Sequence, residues 1–257
     1  MRRLMSLMVC GAALAAATAH AAELTAAQIA EKNAAARGGL QAWRAVNTLA
    51  MSGQMDAGGK QDAKLPFVMD MKRPHKSRLE IRFQDQTAVQ TYDGAQGWKY
   101  RPFLGRTEAE PLTANELRLV AAADELDGPL IDYAQKGIRI ELQGTDKIDG
   151  KSAYRLRLTN TRTGAQRNLW VDASTFLDVK VDGEPRKLDN KLHKVAVYYR
   201  DYQSVGGLTL PHTLETVVDG VRQTHKIVIQ NVKVNPPLDD ALFLKPQASL
   251  AKAAAAQ

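Results

Sequence analysis

Residues Pro111–Gly137 read PLTANELRLVAAADELDGPLIDYAQKG, and their period differs from that of the chain on either side. The flanks alternate apolar and polar residues, the period of half-buried antiparallel strands. Within the stretch, Leu119, Ala122, Ala123 and Leu126 fall on one helical stripe, with Arg118, Asp124 and Glu125 on the other side. Thr113 and Glu116 stand at capping-box spacing, where each side chain takes the other residue's free backbone N–H. Leu112 and Leu117 have the spacing of a hydrophobic staple, and Gly128-Pro129 stops the helix. A helix set inside a strand-rich chain has to bury its stripe against the sheet.

Upstream, Thr25 and Gln28 form a second capping box with the staple pair Leu24 and Ile29, and Gly38-Gly39 ends that helix. Leu40, Trp43 and Val46 mark a short second helical turn. Strands follow, with Leu49, Met51 and Met55 on one face and Gly53 among them, where backbone or ligand can approach closely. Leu65, Phe67, Met69 and Met71 repeat the pattern, as do Leu79, Ile81 and Phe83. Asp93-Gly94 turns into Trp98 and Tyr100.

Downstream of the insert, Ile138, Ile140 and Leu142 face inward, then Tyr154, Leu156 and Leu158 after the Asp149-Gly150 turn. Leu169 and Val171 come next, and Leu177, Val179 and Val181 run into a turn at Asp182-Gly183. Val195, Val197 and Tyr199, Leu208 and Leu210, and Ile227, Ile229 and Val232 complete about eleven strands. Pro211 predicts a bulge or a sheet edge. The fold class is mainly β, of α+β type, with helices on a long antiparallel sheet that curls. Phe243 docks a last short turn.

Residues 1–21 have the form of a signal peptide: Arg2 and Arg3, an apolar run from Leu4 to Ala17, and Ala19-His20-Ala21 as cleavage site. Export to the periplasm follows. Residues 22–247 are expected to form one domain and 248–257 a flexible tail. Val9 before Cys10 disfavours a lipid anchor, and Cys10 is the one cysteine, so the mature domain tolerates an oxidising compartment. Of 35 Lys and Arg, two lie in the leader; 33 against 28 acidic residues leave a mature charge of +5. The cations alternate with acids and are unclustered, which argues against nucleic-acid binding and leaves some attraction to anionic lipid headgroups. No stretch is long and apolar enough for a membrane span.

HExxH, GxSxG, CxxC, P-loop and GxGxxG are all lacking from the sequence. His75, His193, His212 and His225 stand singly, without metal-ligand spacing, so no metal, cofactor or enzymatic activity is expected. Met51, Met55, Met69 and Met71 cluster on inward faces. They read either as core filler or as a soft wall around a variable apolar guest. Trp98, Tyr100 and Tyr133 suit a wet rim.

Several segments together resemble the periplasmic outer-membrane lipoprotein-sorting, or LolA-like, superfamily. They are Arg37-Gly-Gly-Leu-Gln-Ala-Trp43, Tyr92-Asp-Gly with Gly97-Trp98, Pro102-Phe-Leu-Gly105, and Asp127-Gly-Pro-Leu-Ile-Asp-Tyr133 with Lys136-Gly137. Tyr199-Arg-Asp-Tyr202, Gly207-Leu-Thr-Leu-Pro211 and Asp239-Asp-Ala-Leu-Phe243 complete the set. The resemblance implies an incomplete barrel covered by helices, with an apolar cavity for acyl chains. The chain departs from the lipoprotein carrier in its length, its basic charge, its helical insert and the GPLIDY motif, and so resembles a related branch.

The expected cavity lining is Leu49, Met51, Phe67, Met69 and Met71 from the first two strands, and Leu79, Ile81 and Phe83 from the third. Trp98, Tyr100, Leu119, Leu126, Leu130, Tyr154 and Leu156 complete it. The function expected is that of a monomeric carrier of lipid or lipoprotein acyl chains, working with an envelope membrane complex. A sensor on the same fold that reads lipids or envelope proteins, and a secreted hydrolase, are the alternatives.

Overall fold

The structure is a computed structural model describing residues 24–56, 63–123, 126–222 and 224–247. The leader, the tail from 248, and Asp124 and Glu125 lie outside the described residues. Helices α1 (Ala26–Ala36) and α2 (Leu40–Arg44) precede β1 (Thr48–Asp56), β2 (Lys64–Lys72), β3 (Lys76–Phe83), β4 (Gln86–Tyr92), β5 (Gly97–Tyr100) and β6 (Glu110–Pro111). After α3 (Ala114–Ala123) come β7 (Ile138–Ile148), β8 (Lys151–Asn160), β9 (Gln166–Asp172) and β10 (Asp178–Leu188). β11 (Lys191–Val205), β12 (Leu208–Val218) and β13 (His225–Val234) end the series.

These strands form one curled, open antiparallel sheet in the order β6-β5-β4-β3-β2-β1-β13-β12-β11-β10-β9-β8-β7. Each half is a meander of sequential strands, and the seam between the halves is the pairing of β1 with β13. Strands β6 and β7 are therefore the two free edges. The insert that breaks the strand period is the connection that joins them.

Thirteen strands replace the expected eleven or so. The two additions are β4 and β6. In β4, Thr87, Ala88, Val89, Thr91 and Tyr92 are all buried, so no apolar–polar alternation marks it in the sequence. A second difference lies at Asp182-Gly183, which is not a turn. There β10 bulges, Asp182 accepts hydrogen bonds from the Asn168 backbone and side-chain amides (3.1 and 2.7 Å), and the chain runs on to turn at Asp189-Asn190. Pro211 sits in the central strand β12, beyond the stretch where β13 pairs with it, so its missing N–H breaks no ladder there.

All three helices lie on one face of the sheet. Thr25 and Gln28 make the expected capping box on α1. Ile29 and Leu130 pack on Leu156, Leu158, Leu169 and Val171, while Trp43, Val46 and Ile131 pack on Leu49, Met71 and Leu208. On the opposite face, residues 236–247 cross β3 and β4. Arg78 and Thr91 donate to the Leu242 and Leu244 carbonyls (3.1 and 3.0 Å), and Phe243 is wholly buried.

Helix α3 is capped as its sequence predicts, with the Thr113 amide 2.9 Å from Glu116 Oε2 and the Glu116 amide 3.3 Å from Thr113 Oγ1. Its buried stripe differs from the expected one. Leu112, Leu117 and Val120 pack on Tyr92, whereas Leu119 is 36 % exposed. The staple fixes the roll of the helix, and a residue two positions past Leu117 lands on the far side. The helix is described as far as Ala123, and Leu126 lies in a turn outside it.

Candidate apolar binding face

Strand register decides which apolar residues share a surface, because successive side chains alternate faces. On the helix-bearing face, Val232, Met51, Met69 and Leu79 form one row across four strands. Ile229, Gly53, Phe67, Ile81 and Ala88 form the next, and Ile227, Met55 and Leu65 a third. Phe83 continues this face along β3; it is 38 % exposed and meets Phe103 edge-on at 6.1 Å. Leu65, Met69, Leu79 and Ile81 are only half-buried. These rows make a continuous apolar surface that starts at the margin of the Trp43 cluster, where Val232, Met51 and Met69 pack, and runs away from it along the strands.

The expected lining divides accordingly. Met51, Phe67, Met69, Leu79, Ile81 and Phe83 come together on this surface. Leu49 and Met71 belong to the packed cluster under Trp43, with Leu126, Met51 and Met69 at its margin, and Leu130 and Leu156 belong to the cluster under Ile29. Tyr154 borders the latter, stacked on Phe176. Trp98 and Tyr100 do not join them. Trp98 pairs with Thr91 and Tyr100 with Val89, which puts both on the opposite face, where Lys245 lies over the Trp98 ring. Leu119 points away on α3. Met55, Leu65, Ile227 and Phe103 were left out of the expected lining. The first three are visible as strand alternation, and Phe103 becomes relevant only through the fold.

Gly53 answers to backbone and not to a ligand. A Cβ there would stand 1.9 Å from the Val228 carbonyl oxygen, at the bulge of the β1–β13 seam.

A clamp of buried charge closes the other end of the face. Asp127, at the start of the GPLIDY segment, is buried between Arg73 Nη2 (2.7 Å) and Lys136 Nζ (2.5 Å). Arg37 donates to the Asp127 carbonyl (2.8 Å), and Arg73 also donates to the Val46 and Trp43 carbonyls. Arg44 binds Asp132 through two hydrogen bonds of 2.6 and 3.0 Å. Behind them, Asn33 donates to Asp178, whose carboxyl burial pushes up against the opposing pull of Arg37 and Asn33. Burial and the nearby Asp178 carry the Tyr199 hydroxyl up to about 12. These contacts tie the insert to α1, α2 and the β2–β3 turn, and drive Leu130 and Ile131 into the two core clusters.

The surface also carries two depressions. One, of about 780 Å³, is bounded by Asn47, Lys72, Asn235 and Asp239 among others; one of about 230 Å³ is bounded by Ser52, Phe67, Glu80 and Arg82 among others. Polar side chains dominate the first, the second mixes Ser52, Glu80 and Arg82 with Pro66, Phe67 and Val68, and Met69, Leu79 and Ile81 line neither. The apolar rows thus form an open face in this conformation, with Ile131 at its margin in the Trp43 cluster that Met51, Met69 and Val232 border. No helix among the described residues is long and apolar enough to cross a membrane.

A family model described as an uncharacterized protein matches residues 131–248. No curated protein matches the chain. Solved structures do. A putative outer membrane lipoprotein-sorting protein domain from Vibrio parahaemolyticus is 12 % identical, with 85 % of this chain and 95 % of that one covered and a TM-score of 0.56. For a DUF1329 family protein from Desulfovibrio piger the values are 15 %, 86 %, 98 % and 0.59. For a LolA superfamily protein from Nitrosomonas europaea they are 18 %, 87 %, 99 % and 0.54. The chain has the LolA-like fold, shared at low sequence identity.

Proposed function

We propose that this LolA-like chain is a periplasmic binding or carrier protein that holds acyl chains of a lipid or lipoprotein against the apolar rows of β1–β3. The observation that carries this reading is the continuity of Met51, Phe67, Met69, Leu79 and Ile81 on one half-buried face. A contiguous apolar surface on a soluble domain marks a binding site. Methionines let it adapt to guests of different shape. An acyl chain gains about 0.8 kcal/mol per buried CH₂, so a sixteen-carbon chain is worth roughly 12 kcal/mol when fully enclosed. An open face recovers part of that and leaves release cheap. The likeness to a protein titled as lipoprotein-sorting supports the cargo class, and the form of the leader supports the compartment.

Titration with a fluorescent fatty acid tests the reading. Ile81→Lys puts a charge in the middle of the rows at a half-buried position, where the lysine head can still reach water. Affinity should fall at least about tenfold while the unfolding midpoint moves by only a few degrees. Unchanged affinity in a folded variant would remove this face as the guest site.

A further inference from the structure

The β10–β11 hairpin outruns both of its neighbours. On one side β9 pairs with β10 only as far as Val181. On the other, β12 pairs with β11 only from Val195, and the last tie is His193 Nδ1 to the Asp219 carbonyl oxygen at 2.7 Å. Beyond it the two strands pair only with each other, Arg186 with His193, Lys187 with Leu192 and Leu188 with Lys191. Asp189 and Asn190, at φ 47° and 60°, make the two-residue turn that suits a twisted hairpin. The free part projects on the order of 10 Å.

Its composition is unlike that of a spare loop. Residues 184–194 carry four cations, Arg186, Lys187, Lys191 and Lys194, against two acids, Glu184 and Asp189. None of the four cations is in an ion pair among the described residues. Leu192 is 76 % exposed, more than any other exposed large hydrophobic described, and Leu188 is 38 % exposed. By register, Leu192 shares a face with Lys187, and Leu188 shares the other with Lys191, Arg186 and His193. Lysines on a free strand edge hinder unwanted strand pairing, but that leaves Leu192 unaccounted for.

We propose that this hairpin tip is a docking element for an anionic lipid bilayer, entered end-on. A protein partner would contact one face of a hairpin, whereas a leucine and cations on each face suit a medium that surrounds the tip. The two leucines reach the boundary of the acyl region, and the cations level with them, Lys187 and Lys191, and behind them, Arg186 and Lys194, meet lipid phosphates. The inference is independent of the guest site on β1–β3.

Co-sedimentation of the full domain with vesicles tests it. Vesicles of phosphatidylglycerol and phosphatidylethanolamine should retain the protein, phosphatidylcholine vesicles should not, and added salt should release it. Each cation near such a surface contributes roughly fivefold in affinity, so Lys187→Glu with Lys191→Glu should weaken binding at least tenfold. Leu192→Ser should weaken it severalfold at unchanged charge. Arg106→Glu with Arg139→Glu, an equal charge change away from the tip, should stay within about twofold of the parent. The tip variants should keep the parent's thermal midpoint and fatty-acid affinity. Equal losses in the tip and control variants, no preference for anionic vesicles, or a tip that captures an acidic protein while ignoring vesicles would overturn the proposal.

Discussion

Asp127 shows what a single residue does in this molecule. Its carboxylate is almost wholly buried, and two cations converge on it from the β2–β3 turn and from the insert itself. The pair is weak evidence of net stability, because burying the charges costs about what their attraction returns. Removing one partner is another matter. Asp127→Ala leaves Lys136 and Arg73 without their shared anion and should lower stability by roughly 3 kcal/mol in urea titration, less if Arg73 turns out to solvent. Met71 makes a related point. It shares a face with Met69, and both pack with the Trp43 cluster; Met71 is a buried member, whereas Met51 and Met69 are only partly buried at its margin, so the softer role falls to them.

At the scale of the element, α3 depends on its cap. Burial pushes the Glu116 carboxyl up, but Lys99 and the Thr113 amide and hydroxyl outweigh it and hold the group down to about 2. A carboxyl depressed in the folded state adds stability above its unfolded value near 4.5, and that contribution is lost as pH falls through the folded one. Glu116→Gln should therefore cost on the order of 1 kcal/mol at neutral pH, after allowance for screening at a partly exposed site. Near pH 2 the variant and parent should converge in chemical denaturation. A difference that persists unchanged at pH 2 would mean that the neutral cap, and not the charge, matters.

Across the whole molecule, two devices unite the halves of the sheet. One is the insert, which joins the free edges and sends Leu130 into one core cluster and Ile131 into the other. The other is the β1–β13 seam, whose bulge leaves room only for hydrogen at Gly53. Gly53→Ala forces that seam apart and should cost at least about 2 kcal/mol, a fall of roughly 4–8 °C in the melting midpoint. If the seam couples the halves, the variant should still melt in one transition; two separated transitions would show that each meander folds by itself.

Both capping boxes, the staples and the tight turn at Asp149-Gly150 were legible in the sequence, as were the inward rows of β1–β3. Each depends on residues a few positions apart, whose geometry local chemistry dictates. Strand β4 was not legible, because coverage on both faces erased the alternation. The placement of Trp98 and Tyr100 was not legible either: an isolated strand has two equivalent faces, and only pairing with Thr91 and Val89 chooses between them. The same holds for the projecting tip at 184–194, which exists because β9 and β12 stop where they do. Sequence alone determined the mainly β, helix-covered class and its apolar rows, through short-range periodicity. Tertiary structure decided which rows were filled by Leu130 and Ile131 and which stayed open, because that depends on long-range register and on where the insert lands.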